Sequence, residues 1–406
     1  MMNILFLTIG EMESIEQHSI YPDLLRAFRN NGHNIYTVSP YEKRVGRETE
    51  LIVENRVHYL YVKIGNLTKC NIIEKGISTL LIEKQFKDAI CRYFSNVKFD
   101  LVLYSTPPIT LCNAIEYVKK RDNAKTYLLL KDIFPQNAVD LGMLSKSGAK
   151  GILYNYFRNK EKKLYALSDR IGCMSQANVD YVLKHNPEIN SSKVEVCPNC
   201  VEPVDMSVSE EQRIAIRQKY GIPLDKKVFV YGGNLGKPQG IPFLIGCLRA
   251  AKDTGAYFLI VGDGTEYSKL EAFVNQEKPK HVKLMKRLPK DDYDAMVGSC
   301  DVGMLFLDHR FTIPNFPSRL LSYMQAKLSV LAVTDPNTDV GKVIVDGGFG
   351  WWCESNDVEA FKTKVTEIVK SDLATKGSNS RKYMLDNYDV KDSYKIIMKH
   401  FGKSEK

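Results

Sequence analysis

The sequence lacks the features that mark membrane-spanning and exported proteins. It has no run of about 18 apolar residues, so no segment is expected to cross a bilayer as a helix. Residues Met1–Gly10 contain no basic stretch ahead of their short apolar run, a pattern typical of a buried first strand rather than of a secretion signal. We therefore expect a cytoplasmic protein.

The chain contains an odd number of cysteines. Nine cysteines in a chain without an export signal favour reduced thiols over a disulfide framework. Cys197 and Cys200 have C-x-x-C spacing, but no second pair and no His-x3-His motif lies near enough to complete a zinc site. We prefer to interpret them as small residues in a linker.

Charge of one sign is not concentrated anywhere in the chain. The formal net charge is +9, but the basic residues form no long block and accompany no recognised nucleic-acid-binding motif. An anionic ligand or an anionic membrane surface explains the charge more simply than a nucleic acid does.

The sequence contains apolar runs that alternate with helical patterns, and this alternation occurs once in each half of the chain. A chain of 406 residues is too long for one compact core. Continuous apolar runs are typical of strands buried on both faces of a parallel sheet. The predicted strands are Asn3–Thr8, Asn34–Ser39, Val57–Val62, Leu101–Tyr104, Thr126–Leu130, Arg170–Met174 and Val194–Cys197, and then Val228–Tyr231, Tyr257–Val261, Val282–Met285, Val302–Leu305 and Val330–Val333.

This repetition predicts an α/β protein with two Rossmann-like, doubly wound domains. Prolines and acidic residues in Pro198–Ser209 place a linker between them, so we assign 1–200 to one domain, 201–380 to a second and 381–406 to a terminal helix that crosses back to the first. Doubly wound domains bind ligands at the carboxyl ends of their strands, so we expect the two domains to face a shared cleft that holds a nucleotide-type ligand.

Two segments of the second half suit a phosphate. Val228–Gly240 reads VFVYGGNLGKPQG, a strand running into a glycine loop that lets backbone approach a ligand, with Lys237 in reach of an anionic oxygen. Phe311–Met324 reads FTIPNFPSRLLSYM, a proline-punctuated loop that opens a helix with Arg319 in its first turn. An ordinary loop-helix-strand unit is the alternative for the second segment.

Taken in order, these segments resemble the donor half of retaining GT-B glycosyltransferases of family 4. The series continues with Leu259–Thr265 (LIVGDGT) and Val282–Pro289 (VKLMKRLP). Leu128–Asn137 (LLLKDIFPQN) and Ser168–Ser175 resemble first-domain segments of the branch that builds capsule and O-antigen polysaccharides. The resemblance covers almost the whole chain and implies a nucleotide-sugar donor without a metal or other cofactor.

The chain departs from the family at two places. Pro314 and Ser322 stand where the family carries its acidic pair, and Asn234 and Gln239 stand where its glycine loop carries Arg and Lys. Cations elsewhere must then neutralise the diphosphate. The predicted donor-binding residues are Gly10, Gly233, Asn234, Lys237, Arg287, Leu288, Ser318, Arg319 and Leu320.

The predicted catalytic residues lie in the first half. Asp132 follows a buried strand and precedes Phe-Pro, so its carboxylate is expected at the carboxyl edge of the sheet, where it would orient or deprotonate an acceptor hydroxyl or only cap a turn. Lys131 lies beside it. Glu11, in the loop after the first strand, and His18 complete the set, although a lone histidine is more often structural.

The resemblance implies retaining transfer of a hexose or N-acetylhexosamine to a lipid-linked saccharide in capsule or exopolysaccharide synthesis, with UDP as the expected carrier of the sugar. Two alternatives stay open: a catalytically silent subunit of a partner glycosyltransferase and a UDP-sugar 2-epimerase. Ile72–Phe94 and Lys150–Tyr165 mix cations with large apolar side chains, so we also expect peripheral binding to an anionic membrane, with ordinary amphipathic helices as the alternative.

Overall fold

The protein folds into two α/β units. The computed structural model describes residues 1–10, 12–67 and 70–401. The first unit comprises Met1–Glu202 together with the segment from Val390 onward, and the second comprises Pro203–Asp389. The chain returns to the first unit later than the predicted residue 381, because residues 373–387 form a helix of the second unit.

The first unit has one sheet with eight strands in its described part. They are β1 (Asn3–Leu7), β2 (Asn34–Glu42), β3 (Glu50–Glu54), β4 (Val57–Ile64), β5 (Leu101–Ser105), β6 (Lys125–Leu130), β7 (Arg170–Cys173) and β8 (Val194–Val196). The order is β3-β4-β2-β1-β5-β6-β7-β8, and all pairs are parallel except β3 with β4.

Helices connect these strands as the parallel topology requires. They are α1 (Ile20–Asn30), α2 (Ile72–Tyr93), α3 (Cys112–Asp122), α4 (Gln136–Asp140), α5 (Gly148–Leu167) and α6 (Gln176–His185). Helix α3 contacts both α2 and α5. An ion pair of 3.0 Å between Lys160 and Glu83 also links α5 to α2.

The second unit has a parallel sheet with six strands among the described residues, ordered β11-β10-β9-β12-β13-β14. The strands are β9 (Val228–Asn234), β10 (Tyr257–Asp263), β11 (Val282–Met285), β12 (Val302–Phe306), β13 (Ser329–Thr334) and β14 (Gly350–Glu354). The helices are α7 (Glu210–Lys219), α8 (Ile241–Ala250), α9 (Tyr267–Glu277), α10 (Lys290–Gly298), α11 (Arg319–Gln325), α12 (Val340–Asp346), α13 (Val358–Val369) and α14 (Leu373–Asn387).

The last described helix, α15 (Val390–Met398), belongs to the first unit. It packs on α1, where Tyr394 lies 5.0 Å from Phe28 in an edge-on ring contact and hydrogen-bonds to His33 across 3.2 Å. The start of α15 lies next to Val201, near the end of the segment Met1–Glu202, because the N–H of Val390 donates to the carbonyl of Val201.

Continuous burial explains why the sequence predicts most strands correctly. Every residue of β5, β12 and β13 is buried, as expected for central strands of a parallel sheet. The sequence analysis missed β3 and β14. Strand β3 is an antiparallel edge strand whose residues are all partly or fully exposed, and its apolar run is limited to the three residues 51–53.

Candidate functional site

The glycine loop lies at the carboxyl end of β9, where the backbone is packed too closely for side chains. A Cβ added to Gly232 would lie 1.8 Å from the Tyr293 hydroxyl, and one added to Gly262 would lie 1.9 Å from the carbonyl oxygen of Gly233. Gly233 itself has φ +118°, which favours glycine. These glycines let two strand ends and a tyrosine meet at one place.

Side chains of the loop hold it in shape from within. The Gln239 side-chain oxygen accepts hydrogen bonds from Asn234 Nδ2 and from the N–H of Gly236, both at 3.1 Å. The Tyr231 hydroxyl donates to the Asn234 carbonyl at 2.8 Å. Asn234 and Gln239 therefore order the loop, but they supply no positive charge.

A cation reaches this loop from α11 instead. The Arg319 guanidinium lies over the Tyr231 ring, with Cζ 4.3 Å from the centroid. Its Nη2 lies 3.2 Å from the position that a Cβ at Gly233 would take, so the guanidinium occupies space that only a glycine leaves open. Nη1 is buried and has no hydrogen-bond partner among the described residues. Because arginine stays protonated in proteins, this is a fixed positive charge with an unused donor.

Tyrosines position the guanidinium. The Tyr323 hydroxyl accepts from the N–H of Gly232 at 3.3 Å and donates to the Met304 carbonyl at 3.1 Å. Burial raises the pKa of Tyr231, and the charge of Arg319 opposes that shift only in part. The phenol therefore stays neutral, and its ring face rather than an anion supports Arg319.

The start of α11 offers fewer free N–H groups than the sequence predicts. The N–H of Leu320 donates to the Pro317 carbonyl at 3.2 Å, and that of Leu321 donates to Ser318 at 3.1 Å. Ser318 is exposed and makes no side-chain cap, and Leu320 is fully buried. The helix has seven residues, so the arginine, rather than the helix terminus, is the stronger candidate for binding an anion here.

The remaining predicted donor-side residues lie at the same sheet edge or in the other unit. Lys237 is exposed in the turn after β9. Arg287 is exposed and Leu288 half-buried in the segment after β11. Gly10 belongs to the first unit, where its N–H donates to Thr8 Oγ1 at 3.0 Å.

A carboxylate that the sequence analysis missed holds the loop before α11. Asp335, directly after β13, accepts the N–H groups of Asn337 and Thr338 at 2.9 and 3.2 Å. Those residues in turn donate side-chain hydrogen bonds to the carbonyls of Phe311 and Asn315, at 2.6 and 2.5 Å. The signal was available, since Asp335 follows a buried strand as Asp132 does.

In the first unit, Asp132 lies just after β6, as predicted. Both of its oxygens accept from Asn137 Nδ2, at 2.9 and 2.8 Å, and Thr106 Oγ1 accepts the N–H groups of Lys131 and Asp132. Burial raises the pKa of Asp132 to about 6, against the opposing effect of hydrogen bonds. The carboxyl thus titrates near neutral pH, as a proton-transfer group does.

Lys131 points away from this carboxyl into the protein. Its ammonium donates to the Cys197 carbonyl at 3.1 Å, and burial lowers its pKa. Cys197 and Cys200 are both buried free thiols. The structure therefore places Lys131 in the packing under the linker, apart from the Asp132 carboxylate.

His18 belongs to a cluster around Arg26. Ligand atoms of His18, Asp23 and Glu202 lie within 4.8 Å of one another, the kind of grouping that can hold a metal ion. The Arg26 guanidinium already sits there, with Nη2 2.6 Å from Asp23 and 2.7 Å from Glu202. This one guanidinium is paired with both carboxylates, so we interpret the cluster as a structural ion-pair network. Glu11 lies outside the described residues.

The comparisons with known proteins agree with this geometry. Residues 212–387, all within the second unit, match the family described as Glycosyl transferases group 1. The HepE protein of Anabaena (Alr3699), whose crystal structure contains UDP and glucose, has the same fold, with a TM-score of 0.72 over 98% of this chain and 99% of HepE at 14% identity. The chain is a glycosyltransferase with the GT-B fold.

Two curated proteins are similar in sequence. One is WbjE of Pseudomonas aeruginosa, a probable glycosyltransferase that is 25% identical over 84% of this chain and 83% of WbjE. The other is WcaI of Escherichia coli K12, a putative colanic acid biosynthesis glycosyl transferase that is 22% identical over 67% of each chain.

Proposed function

We propose that the protein transfers a hexose or N-acetylhexosamine, with retention, from a UDP-sugar to a lipid-linked saccharide during synthesis of a surface polysaccharide. The nucleotide sugar is supported by HepE, which was crystallised with UDP and glucose. The polysaccharide is supported by WcaI, which is named for colanic acid biosynthesis. No resident metal or cofactor is part of this proposal.

The observation that carries the proposal is the unpartnered, buried Nη1 of Arg319 at the glycine loop. When a nucleoside diphosphate leaves, negative charge grows on its oxygens, and a guanidinium fixed in advance stabilises that charge without reorganising. Lys237 and Arg287, exposed at the same edge of the sheet, supply further positive charge. In this proposal, Arg319, Lys237 and Arg287 neutralise the charge of the nucleoside diphosphate, because Asn234 and Gln239 carry no charge.

Calorimetry with UDP tests the donor site. A charge-assisted hydrogen bond contributes about 1.5–3 kcal/mol, so we expect Arg319→Ala to weaken UDP binding roughly ten- to a hundredfold. Arg249→Ala is the matched control, because Arg249 is an exposed arginine of the same unit that pairs with Glu277 away from the loop. Equal UDP affinity in wild type and Arg319→Ala would remove Arg319 from the site.

We further propose that the first unit binds an anionic membrane through α5. Among the described residues, no helix combines the length and apolarity needed to cross a bilayer. Helix α5 instead exposes Ile152, Leu153 and Tyr156, and Ile152 is 76% exposed. Lys146 and Lys150 are exposed at its start. Apolar side chains ringed by cations are typical of proteins that lie on a bilayer.

Ion pairs distinguish the lysines of α5 from one another. Lys160, Lys162 and Lys163 pair with Glu83, Glu188 and Glu116 at 3.0, 3.2 and 2.8 Å, so their charges are already balanced. Lys150 makes no ion pair with another described residue. The cations proposed to meet lipid headgroups are therefore those at the start of α5.

A further inference from the structure

A cavity of about 230 Å³ opens within the first unit, beside the segment that follows Asp132. One wall is Ile133–Gln136, and the other two are α5 and α6. On α5 the lining residues are Tyr154, Arg158, Glu161 and Tyr165, spaced so that they share one helical face. Drug-sized ligands need about 300–1,000 Å³, so the space suits one small ring rather than a chain of them.

The polar groups of this cavity are fixed in advance. Glu161 is buried, accepts from the Tyr165 hydroxyl at 2.8 Å and pairs with Arg158. Arg158 also donates to the His185 carbonyl at 2.9 Å and to Asn186 Oδ1 at 2.6 Å. A buried ion pair is a poor source of stability, because desolvating the charges offsets their attraction. Because the Arg158–Glu161 pair lines a cavity, we interpret it as a group that recognises a ligand rather than as a source of stability.

The charged lining residues are two cations and one carboxylate. The guanidinium of Arg158 is engaged by Glu161, whose negative charge would repel a phosphate, and the Lys146 ammonium lies over the Tyr154 ring, 5.7 Å from its centroid. Planar donors and acceptors remain, together with aromatic rings: Tyr181 stacks on His185 with centroids 3.9 Å apart, and Tyr154 lines the same space. Sugar hydroxyls bind planar polar groups, and the apolar faces of a pyranose pack on aromatic rings.

We propose that this cavity binds one pyranose ring of the saccharide acceptor, at a distance from the sugar that reacts. The inference rests on the proposed function, since it takes the acceptor to be a saccharide. Its location fits, because one wall begins next to Asp132 and α5 also carries the apolar side chains Ile152 and Leu153 proposed to meet the membrane.

Ligand-observed saturation-transfer NMR on the full chain tests the cavity without any donor. The probes are methyl α-D-glucopyranoside and methyl N-acetyl-β-D-glucosaminide. We expect transfer to at least one of them, reduced at least about fivefold in Tyr181→Ala, which removes a ring from the wall. Tyr156→Ala is the matched control, an exposed tyrosine of α5 outside the cavity.

A second variant covers the case in which Tyr181→Ala folds poorly. Gln136→Trp places bulk in the cavity wall at the expense of the 2.7 Å hydrogen bond from Gln136 to Asp140, and it should abolish the same transfer while the circular dichroism spectrum stays native. Absence of transfer to both glycosides would overturn the proposal, as would a signal that survives in both variants. Displacement of the glycosides by inorganic phosphate would overturn it in favour of an anion site.

The result can be separated from that of the proposed function. Failure to release UDP from any UDP-sugar would refute the transferase reaction, yet the glycoside signal does not depend on UDP. If the enzyme is active, Tyr181→Ala should raise KM for the acceptor and leave hydrolysis of the UDP-sugar by water unchanged. An unchanged acceptor KM in a folded Tyr181→Ala protein would overturn the inference alone.

Discussion

At the scale of single residues, the positive charge at the glycine loop comes from two elements. Asn234 and Gln239 add no charge, Lys237 lies in the loop itself, and Arg319 reaches it from α11. Nη2 fills the space that a side chain at position 233 would take, and Nη1 has no partner among the described residues, so the guanidinium keeps an unused donor. The side chain is thus prepared for an anionic oxygen before a ligand arrives.

Asp132 yields a prediction about pH. Its pKa is raised to about 6 by burial, so the carboxylate is ionised above that pH and protonated below it. If it accepts the proton of the acceptor hydroxyl, kcat/KM should rise with pH up to an apparent pKa of about 6 and then level off. Asp132→Asn should lower kcat by about a hundredfold or more and remove the rise.

The control for this prediction is Asp180→Asn, which changes an exposed aspartate on α6. Its pH profile should match that of the wild type. A profile of Asp132→Asn that keeps both the rate and the acid limb would assign the limb to another group and leave Asp132 with a turn-capping role.

At the scale of elements, the loop before α11 is held in place by hydrogen bonds from residues 335–338, the segment after β13. The side chains of Asn337 and Thr338 donate to the carbonyls of Phe311 and Asn315. The Asp335 carboxylate in turn accepts the backbone N–H groups of Asn337 and Thr338. The start of α11, and with it Arg319, follows this loop directly. Geometry at the donor site therefore depends on residues that we do not expect to touch the donor.

This dependence is testable with Thr338→Val, which keeps the shape of the side chain but removes the hydroxyl. We expect UDP affinity to fall about three- to tenfold, because losing a hydrogen bond of about 0.5–1.5 kcal/mol loosens the placement of Arg319. Thr338→Ser retains the hydroxyl and should bind UDP as the wild type does. Hydrogen exchange should also quicken in residues 311–316 of the valine variant only.

Helix α5 carries the prediction for membranes. Ile152→Ser with Leu153→Ser should reduce co-sedimentation with anionic vesicles at least about tenfold, because burying each apolar side chain contributes about 1.5–3 kcal/mol. Lys150→Glu should weaken binding further and make it less sensitive to salt. Ile214→Ser, at an exposed isoleucine of α7 in the second unit, is the control. Equal pelleting with neutral vesicles would contradict the electrostatic part.

At the scale of the whole molecule, the chain forms two units, and each has its own core. In the first unit, α15 returns to cover α1, and Ile397 is fully buried there. In the second, a core of aromatic and aliphatic side chains such as Phe229, Phe258 and Phe361 surrounds the sheet. Because each unit has its own core, the two should respond separately to mutation and to ligand.

Ile397→Ala tests that separation. Truncating a buried isoleucine destabilises a core by about 2–5 kcal/mol, so the unfolding transition of the first unit should move to lower denaturant concentration. UDP affinity should not change, since Arg319 and the glycine loop lie in the other unit. Leu385→Ala, at an exposed leucine of α14, should leave both quantities unchanged. A loss of UDP binding in Ile397→Ala would show that the units are not independent.

The sequence by itself determined the strands, the double α/β repeat and the approximate linker. Central strands of a parallel sheet are buried on both faces, so each is written as an uninterrupted apolar run such as Leu101–Tyr104, and that signal is local. Asp132 and Arg319 were predicted as site residues for a similar reason, because each stands directly beside such a run or a proline-marked helix start. Edge strand β3 has an apolar run of only three residues and was missed.

Only the tertiary structure decided which side chains meet. Tyr231 and Arg319 are far apart in the chain, as are Arg26 and Glu202, and no periodicity links either pair. Tyr231 and Arg319 come together because parallel strands place their carboxyl ends at one edge, whereas Arg26 reaches Glu202 from within helix α1. The fold also turned Lys131 inward while Asp132 stayed at the strand end, since successive side chains of an extended chain point to opposite sides.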